Sequence, residues 1–286
     1  MKKLLKKELP VLLFCSLCGG ISTAQAELIG YDLLNGDLNA SLGLTYYQNS
    51  VDGQFSSAQD AFAKYQSSFG SANNVPDGLI DLSGQGLLDN FGLVMPAPDY
   101  AFFGITDTLN SSNPSGDAEA EWGFNIANYS NLSVDIDFAA MGDFEASDTY
   151  SLTYAIDDGP FSTLFAFNAE TSQALNYTMV NGNQRMLNDP ISIRSANSPF
   201  SFNLTNNFSQ YSSYIAGEGS TLRLRMQANA DGGTEGFGFS NIRINGTGLL
   251  TSTPDLPDSP VTSVSEPGTL LIMSLSLLGF ARRLRC

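Results

Sequence analysis

Histidine is absent from this 286-residue chain. That removes Ser-His-Asp and Cys-His catalytic arrangements, and every zinc site that needs an imidazole. Cysteine is almost absent too: Cys15, Cys18 and Cys286 lie at the two extremes, and residues 27–285 hold none. The body therefore makes no disulfide and offers no thiolate, so its stability has to come from a core. No glycine-rich loop joins a strand-like run to a helix-like run, so a phosphate cradle is missing as well. Positive charge is scarce. Residues 27–281 carry six basic and 28 acidic side chains, a net charge of −22. Such a surface repels nucleic acid and anionic membrane, and it suits a solvated exterior protein that gathers divalent cations.

Long apolar runs are confined to the two ends. The opening MKKLLKKELPVLLFCSLCGGISTAQAELIG sets Lys2, Lys3, Lys6 and Lys7 before an apolar run from Val11 to Ile21, then Ala24-Gln25-Ala26. A basic stretch, an apolar core and a small-x-small triplet are the three parts of a secretory signal peptide. Residues 1–26 are expected to engage the Sec translocon and to be cut by signal peptidase between Ala26 and Glu27. The apolar run is short for the alternative, an uncleaved membrane helix. Cys15 and Cys18 lack the small residues that precede a lipidated cysteine.

At the other end, Thr269 to Ala281 is uncharged over 13 residues. As a helix it reaches about 20 Å, short of a hydrocarbon core of about 30 Å, so it sits in a bilayer only by thinning it or snorkelling its flanks. Arg282, Arg283 and Arg285 follow at once and act as cytoplasmic stop charges, leaving the body outside. Ser265-Glu266-Pro267 precedes the run, and the proline keeps Glu266 extended where a processing enzyme can grip it. Leu256-Pro257-Asp258-Ser259-Pro260 only faintly echoes a sortase LPxTG box, and a plain tail anchor is the other alternative.

The layout of residues 265–286 resembles the PEP-CTERM sorting signal of Gram-negative bacteria: a Pro-Glu-Pro motif, a short apolar helix and a terminal arginine cluster. Here serine stands at the first proline position. The resemblance implies transient insertion in the inner membrane and processing by an exosortase, a membrane-embedded cysteine transpeptidase. It also implies a mature form at the cell surface or outside the cell, associated with exopolysaccharide and biofilm matrix.

Between the ends, residues 27–250 are expected to form one all-β domain, a jelly-roll-like sandwich of roughly nine strands. A Pro/Ser/Asp-rich linker, residues 251–264, follows it. The stretch 101–250 is the regular part. In NLSVDIDFAA, Leu132, Val134, Ile136 and Phe138 point one way while Ser133, Asp135 and Asp137 point the other. TYSLTYAID and TLRLRMQANA alternate in the same way, Asp158-Gly159 makes a turn, and the parity change after Phe239 predicts a β-bulge near Ser240-Asn241. AFFGIT, AEWGFNI, STLFAFN, PISIRS and PFSFNL complete the set. Residues 27–100 read as loop-rich, with an opening strand near Leu28–Leu34, a short helix over Ser57–Tyr65 and long loops from Gly70 to Pro98. Residues 100–247 also resemble, by pattern, the galactose-binding-like and concanavalin-like sandwiches of bacterial secreted enzymes and adhesins.

With no histidine or thiol, the only enzyme class left open is a polysaccharide hydrolase using a carboxylate pair, and 28 acids make such a pair common by chance. The body is therefore expected to be non-enzymatic and to need no cofactor, with structural Ca²⁺ as the one ion its loops could hold. Asp143, Glu145 and Asp148 share an inter-strand loop at a spacing hard cations accept, and Asp231 to Glu235 is a weaker stretch of the same kind. A merely solvated loop is the alternative reading. Trp122 shares parity with Phe124 and Ile126, which places it in the core rather than on a sugar platform. Tyr46, Tyr47, Tyr177, Tyr211 and Tyr214 are aromatics that could line a glycan groove.

Overall fold

Two-residue alternation organises the chain, because each strand has one face to bury and one to leave in water. The computed structural model describes residues 25–249, apart from 56, 58, 68–74, 77, 87 and 88. Among the described residues fifteen strands follow one another: β1 (Glu27–Asp32), β2 (Leu44–Asn49), β3 (Ala61–Gln66), β4 (Ala101–Thr106), β5 (Ala118–Asn125), β6 (Tyr129–Met141), β7 (Thr149–Ile156), β8 (Ser162–Ala169), β9 (Ala174–Thr178), β10 (Gln184–Asn188), β11 (Ile191–Ser195), β12 (Phe202–Asn203), β13 (Ser209–Tyr214), β14 (Thr221–Asn229) and β15 (Gly236–Gly248). The helical turns among the described residues are both 3₁₀, at Leu34–Gly36 and Ser83–Gln85. None is long and apolar enough to cross a membrane.

The strands form two packed sheets and a separate hairpin. One sheet runs β13-β6-β15-β4-β3, with β1 laid along the second half of β15. The other runs β12-β11-β8-β7-β14-β5-β2, and β9 pairs with β10 alone. Leu132, Val134, Ile136 and Phe138 of β6 are buried, as are Leu222, Leu224 and Met226 of β14. The expected bulge is present: β15 pairs Ser240 with Asp137 but Arg243 with Asp135, and Asn241 takes a positive φ of 51°. Phe237 and Phe239 before the bulge and Ile242 and Ile244 after it therefore all face inward.

Aromatic rings fill the space between the sheets. Trp122 of β5 packs on Phe103 and Phe239 of the opposite sheet at 5.4 and 5.6 Å, and those two stack on each other at 5.0 Å. Phe138 meets Phe165 and Phe167 across the same gap at 5.3 and 5.4 Å. Trp122 thus lies in the core. Its indole N–H donates to Asp32 Oδ2 at 2.7 Å, and Lys64 Nζ reaches the same oxygen at 2.6 Å. Asp32 is only 1% exposed, so this one charge is buried with a cation and a donor.

The first hundred residues hold more order than their composition implies. Ser57–Tyr65 is no helix: Ala61–Gln66 is β3, paired along β4 from Ala61↔Thr106 to Gln66↔Ala101. Edge-to-face packing of Phe62 on Phe103 at 4.9 Å and the Lys64 ion pair reward the extended backbone over local helix propensity. Tyr46 and Tyr47 belong to β2, not a loop, and Tyr47 packs on Trp122 at 5.2 Å. Much of the described stretch after Ser67 is irregular, yet Leu79 and Leu93 are fully buried. It lies over the outer face of the β6 sheet, where Leu93 shares a cluster with Ala139, Met141, Tyr177 and Met179. Asp81 Oδ2 accepts the Val180 N–H at 2.6 Å and fastens this cover to the β9–β10 hairpin. PFSFNL contributes only the two residues of β12.

Replacing Lys64 by methionine keeps the apolar stem and leaves Asp32 buried without its cation. The expected loss is about 3 kcal/mol. It would be read as a lower urea midpoint at unchanged slope, followed by the fluorescence of Trp122.

Candidate functional site

Two loops pass from one sheet to the other at the same end of the sandwich. Residues 142–148 lead from β6 to β7, and residues 230–235 lead from β14 to β15. Pairing Met141 with Gly236 and Thr149 with Asn229 sets the two crossings side by side. Phe144 turns inward and is fully buried, at 6.1 Å from Tyr150, and anchors the first loop. A tight turn closes it: the Asp148 N–H donates to the Glu145 carbonyl at 3.0 Å, and the Glu145 N–H donates to Asp148 Oδ2 at 2.8 Å.

The turn brings Glu145 and Asp148 against Glu235, with one carboxylate oxygen from each within 4.8 Å of the others. Glu235 is 2% exposed and its Oε2 has no hydrogen-bond partner. Asp148 Oδ1 and the Tyr150 hydroxyl, close by, are also buried and unpartnered. Burial first, then contact with Glu145 and the charge of Asp148, push the Glu235 carboxyl well above the usual carboxylate range. Burial likewise raises Asp148, with Glu145 and Asp231 adding to it against the Glu145 amide. Tyr150 is raised by burial and by the charges of Glu235, Asp148, Asp231 and Glu145.

The three loop residues picked out by spacing therefore divide. Glu145 and Asp148 belong to the group, but Asp143 does not. It is exposed, and its charge reaches the Tyr177 hydroxyl instead. Glu235 takes its place. The Asp231–Glu235 stretch stood out in the sequence, but only the β6–β15 and β7–β14 pairings bring it to Glu145. Ala26 and Glu27 sit exposed at the start of β1, where Glu27 pairs with Gly246. Ala24, Ser265, Glu266, Pro267, Arg282, Arg283 and Arg285 lie outside the described residues.

A second charged group occupies the outer face of the other sheet. Glu121 of β5 receives Arg223 Nε at 2.8 Å and Arg225 Nη2 at 2.8 Å, and the Tyr46 hydroxyl donates to it. Gly123 makes room for this, because a Cβ there would strike the Tyr46 ring. Phe161 covers the guanidinium groups, 3.7 Å from Arg225 and 4.7 Å from Arg223. Near one end of this sheet a cleft of about 670 Å³ is lined by Ser50, Asp117, Glu119, Thr149, Ser151 and Gln227. Of the other aromatics, Tyr177 is buried and Tyr214 is exposed.

Residues 263–285 match the PEP-CTERM protein-sorting motif. None of the curated proteins matches the chain. Among solved structures, a Stig cyclase, Fisc from Fischerella sp. TAU, was crystallised in complex with (3Z)-3-(1-methyl-2-pyrrolidinylidene)-3H-indole. It is similar over 78% of this chain and 100% of its own, at 9% identity and a TM-score of 0.35. So loose a likeness carries no argument about activity.

Burial alone would raise the Glu121 carboxyl, but hydrogen bonds from Arg223, Tyr46 and Arg225 outweigh it and hold it at about 2. A depressed carboxyl stabilises the fold above its unfolded pKa of about 4.3, and that contribution disappears as pH falls toward 2. After solvent screening it amounts to about 1–2 kcal/mol. Glu121→Gln should lower the urea midpoint at pH 7 and flatten the pH dependence between 4.3 and 2; an unchanged acid limb would count against this account.

Proposed function

We propose that this chain, which carries a PEP-CTERM protein-sorting motif at residues 263–285, is a non-catalytic surface or extracellular-matrix protein that associates with exopolysaccharide. The motif implies an exosortase-sorted extracellular protein whose C-terminal sorting signal anchors it in the membrane. In this reading the Sec translocon exports the chain and signal peptidase cuts it before Glu27. Thr269–Ala281 then pauses it in the inner membrane, with Arg282, Arg283 and Arg285 inside. The exosortase works on the extended segment around Glu266-Pro267.

The sorting motif carries the proposal. The body adds what a matrix component needs: a core closed without disulfides, and a strongly acidic exterior that stays solvated. We read the fold as a jelly roll. What supports this is the interleaving of β4-β15-β6-β13 in one sheet with β5-β14-β7-β8 in the other, crossing between sheets at almost every step. The polar cleft beside Glu119 and Gln227 supports polysaccharide as the ligand, since its hydroxyls, amides and carboxylates are the groups that bind sugar hydroxyls.

Two measurements test the proposal. Mass spectrometry of the extracellular form should find Glu27 at the N-terminus and a C-terminus upstream of Thr269; an intact Cys286 on exported material overturns it. Incubation with the producer's exopolysaccharide should retain the protein without new reducing ends. Release of reducing ends would instead support hydrolysis by a carboxylate pair, and absence of both retention and cleavage would leave a structural protein without a glycan ligand.

A further inference from the structure

We propose that Glu145, Asp148 and Glu235 form a Ca²⁺ site that ties the β6–β7 loop to the β14–β15 loop. Three carboxylates converge with no ion-pair partner among the described residues. The ion pairs among the described residues engage Lys64, Arg223, Arg225 and Arg243, and none reaches this group. Glu235 is almost wholly buried, its Oε2 has no hydrogen-bond partner, and its carboxylate comes within 4.8 Å of those of Glu145 and Asp148. Only four buried side-chain polar atoms among the described residues lack a hydrogen bond. Three of them meet here: Glu235 Oε2, Asp148 Oδ1 and the Tyr150 hydroxyl. Buried polar groups without partners are costly, and so many at one place mark a missing ligand rather than scattered imperfection.

The geometry fits one ion. Oxygens bound to a common Ca²⁺ at about 2.3–2.6 Å lie at most about 5 Å apart, and the three carboxylate oxygens fall within 4.8 Å of one another. The donors are all hard oxygens, which excludes metals that seek imidazole or thiolate. All three come from loops, whose irregular backbone suits the 6–8 oxygens Ca²⁺ accepts better than the strict octahedron of Mg²⁺. The surroundings are shaped for Glu235. A Cβ on Gly232 would collide with its carboxylate, and one on Gly142 would come within 3.0 Å of its Cα and Cγ. Asp231 adds negative charge from the same loop, and the carboxylates of Glu235 and Asp148 are desolvated beside like charges. A divalent ion removes both penalties and joins two crossings between the sheets.

The test uses the purified full-length chain stripped with EDTA. Millimolar CaCl₂ should raise the melting temperature by about 3–6 °C over NaCl of equal ionic strength. Equilibrium dialysis should find one Ca²⁺ per chain responsive to these residues. Tb³⁺ should luminesce on tyrosine excitation, through Tyr150, and be displaced by Ca²⁺. Glu235→Gln combined with Asp148→Asn should abolish the Ca²⁺ rise and the Tb³⁺ signal. In EDTA this variant should melt no lower than the parent, because the repulsion is gone, so a lost response cannot be blamed on misfolding. Asp143→Asn, outside the group, should keep the full rise. No Ca²⁺-dependent rise in the parent chain would overturn the proposal, leaving carboxyls that share protons. An equal rise in the double variant would overturn it too, placing the ion elsewhere.

Discussion

Face-to-face burial of two aromatic sheets is the interaction on which this protein depends. No disulfide spans the body, and no strand pair would be stable alone in water. Each inward phenylalanine or leucine contributes about 1.5–3 kcal/mol of transfer free energy, and the contributions count only once both sheets are present. Trp122 stands where β5 meets Phe103 and Phe239, and its indole ties Asp32 of β1 to the same layer. The alternate, outward positions are thereby freed for charge. Asp135 and Asp137 of β6, and Glu119 and Glu121 of β5, sit beside inward neighbours without disturbing them.

The outer faces are not alike. On the β5–β14 face, arginines meet Glu121 and Glu119 under Phe161, so two carboxylates are balanced by two cations. On the β6 sheet, the β9–β10 hairpin and the stretch around Leu79 and Leu93 cover apolar positions such as Ala139 and Met141. At the loop end neither solution applies. The crossings from β6 to β7 and from β14 to β15 are forced together by strand order, and none of the ion pairs among the described residues engages their carboxylates. Location there follows from topology, not from local sequence.

That distinction also explains what could be read from the residues alone. β6, β7 and β14 were legible because period-two alternation is a local signal, and the bulge at Ser240-Asn241 was legible because it reverses that alternation. β3 was not, since Ala61-Phe62-Ala63-Lys64 looks helical until Asp32 and Phe103 are beside it. β2 was missed because Tyr46 and Tyr47 both find partners, on opposite faces. β10 and β13 are polar edge strands whose pairing is set by neighbours, not by an apolar face of their own. At the candidate site, Glu145 and Asp148 were visible as a spaced pair in one loop. Glu235 lies 90 residues from Glu145, and only the β6–β15 register makes them neighbours.

The position of β15 has a consequence for timing. It is the last strand in the described chain, yet it lies in the interior of its sheet, between β6 on one side and β4 and β1 on the other. A polypeptide delivered N-terminus first must wait with β1, β4 and β6 unjoined until Gly248 arrives. The matched sorting motif begins at residue 263, 15 positions after Gly248 in the sequence. Closure of that sheet is thus set by the last strand before the motif in sequence, and the sandwich is complete only when nearly all of residues 27–248 have emerged.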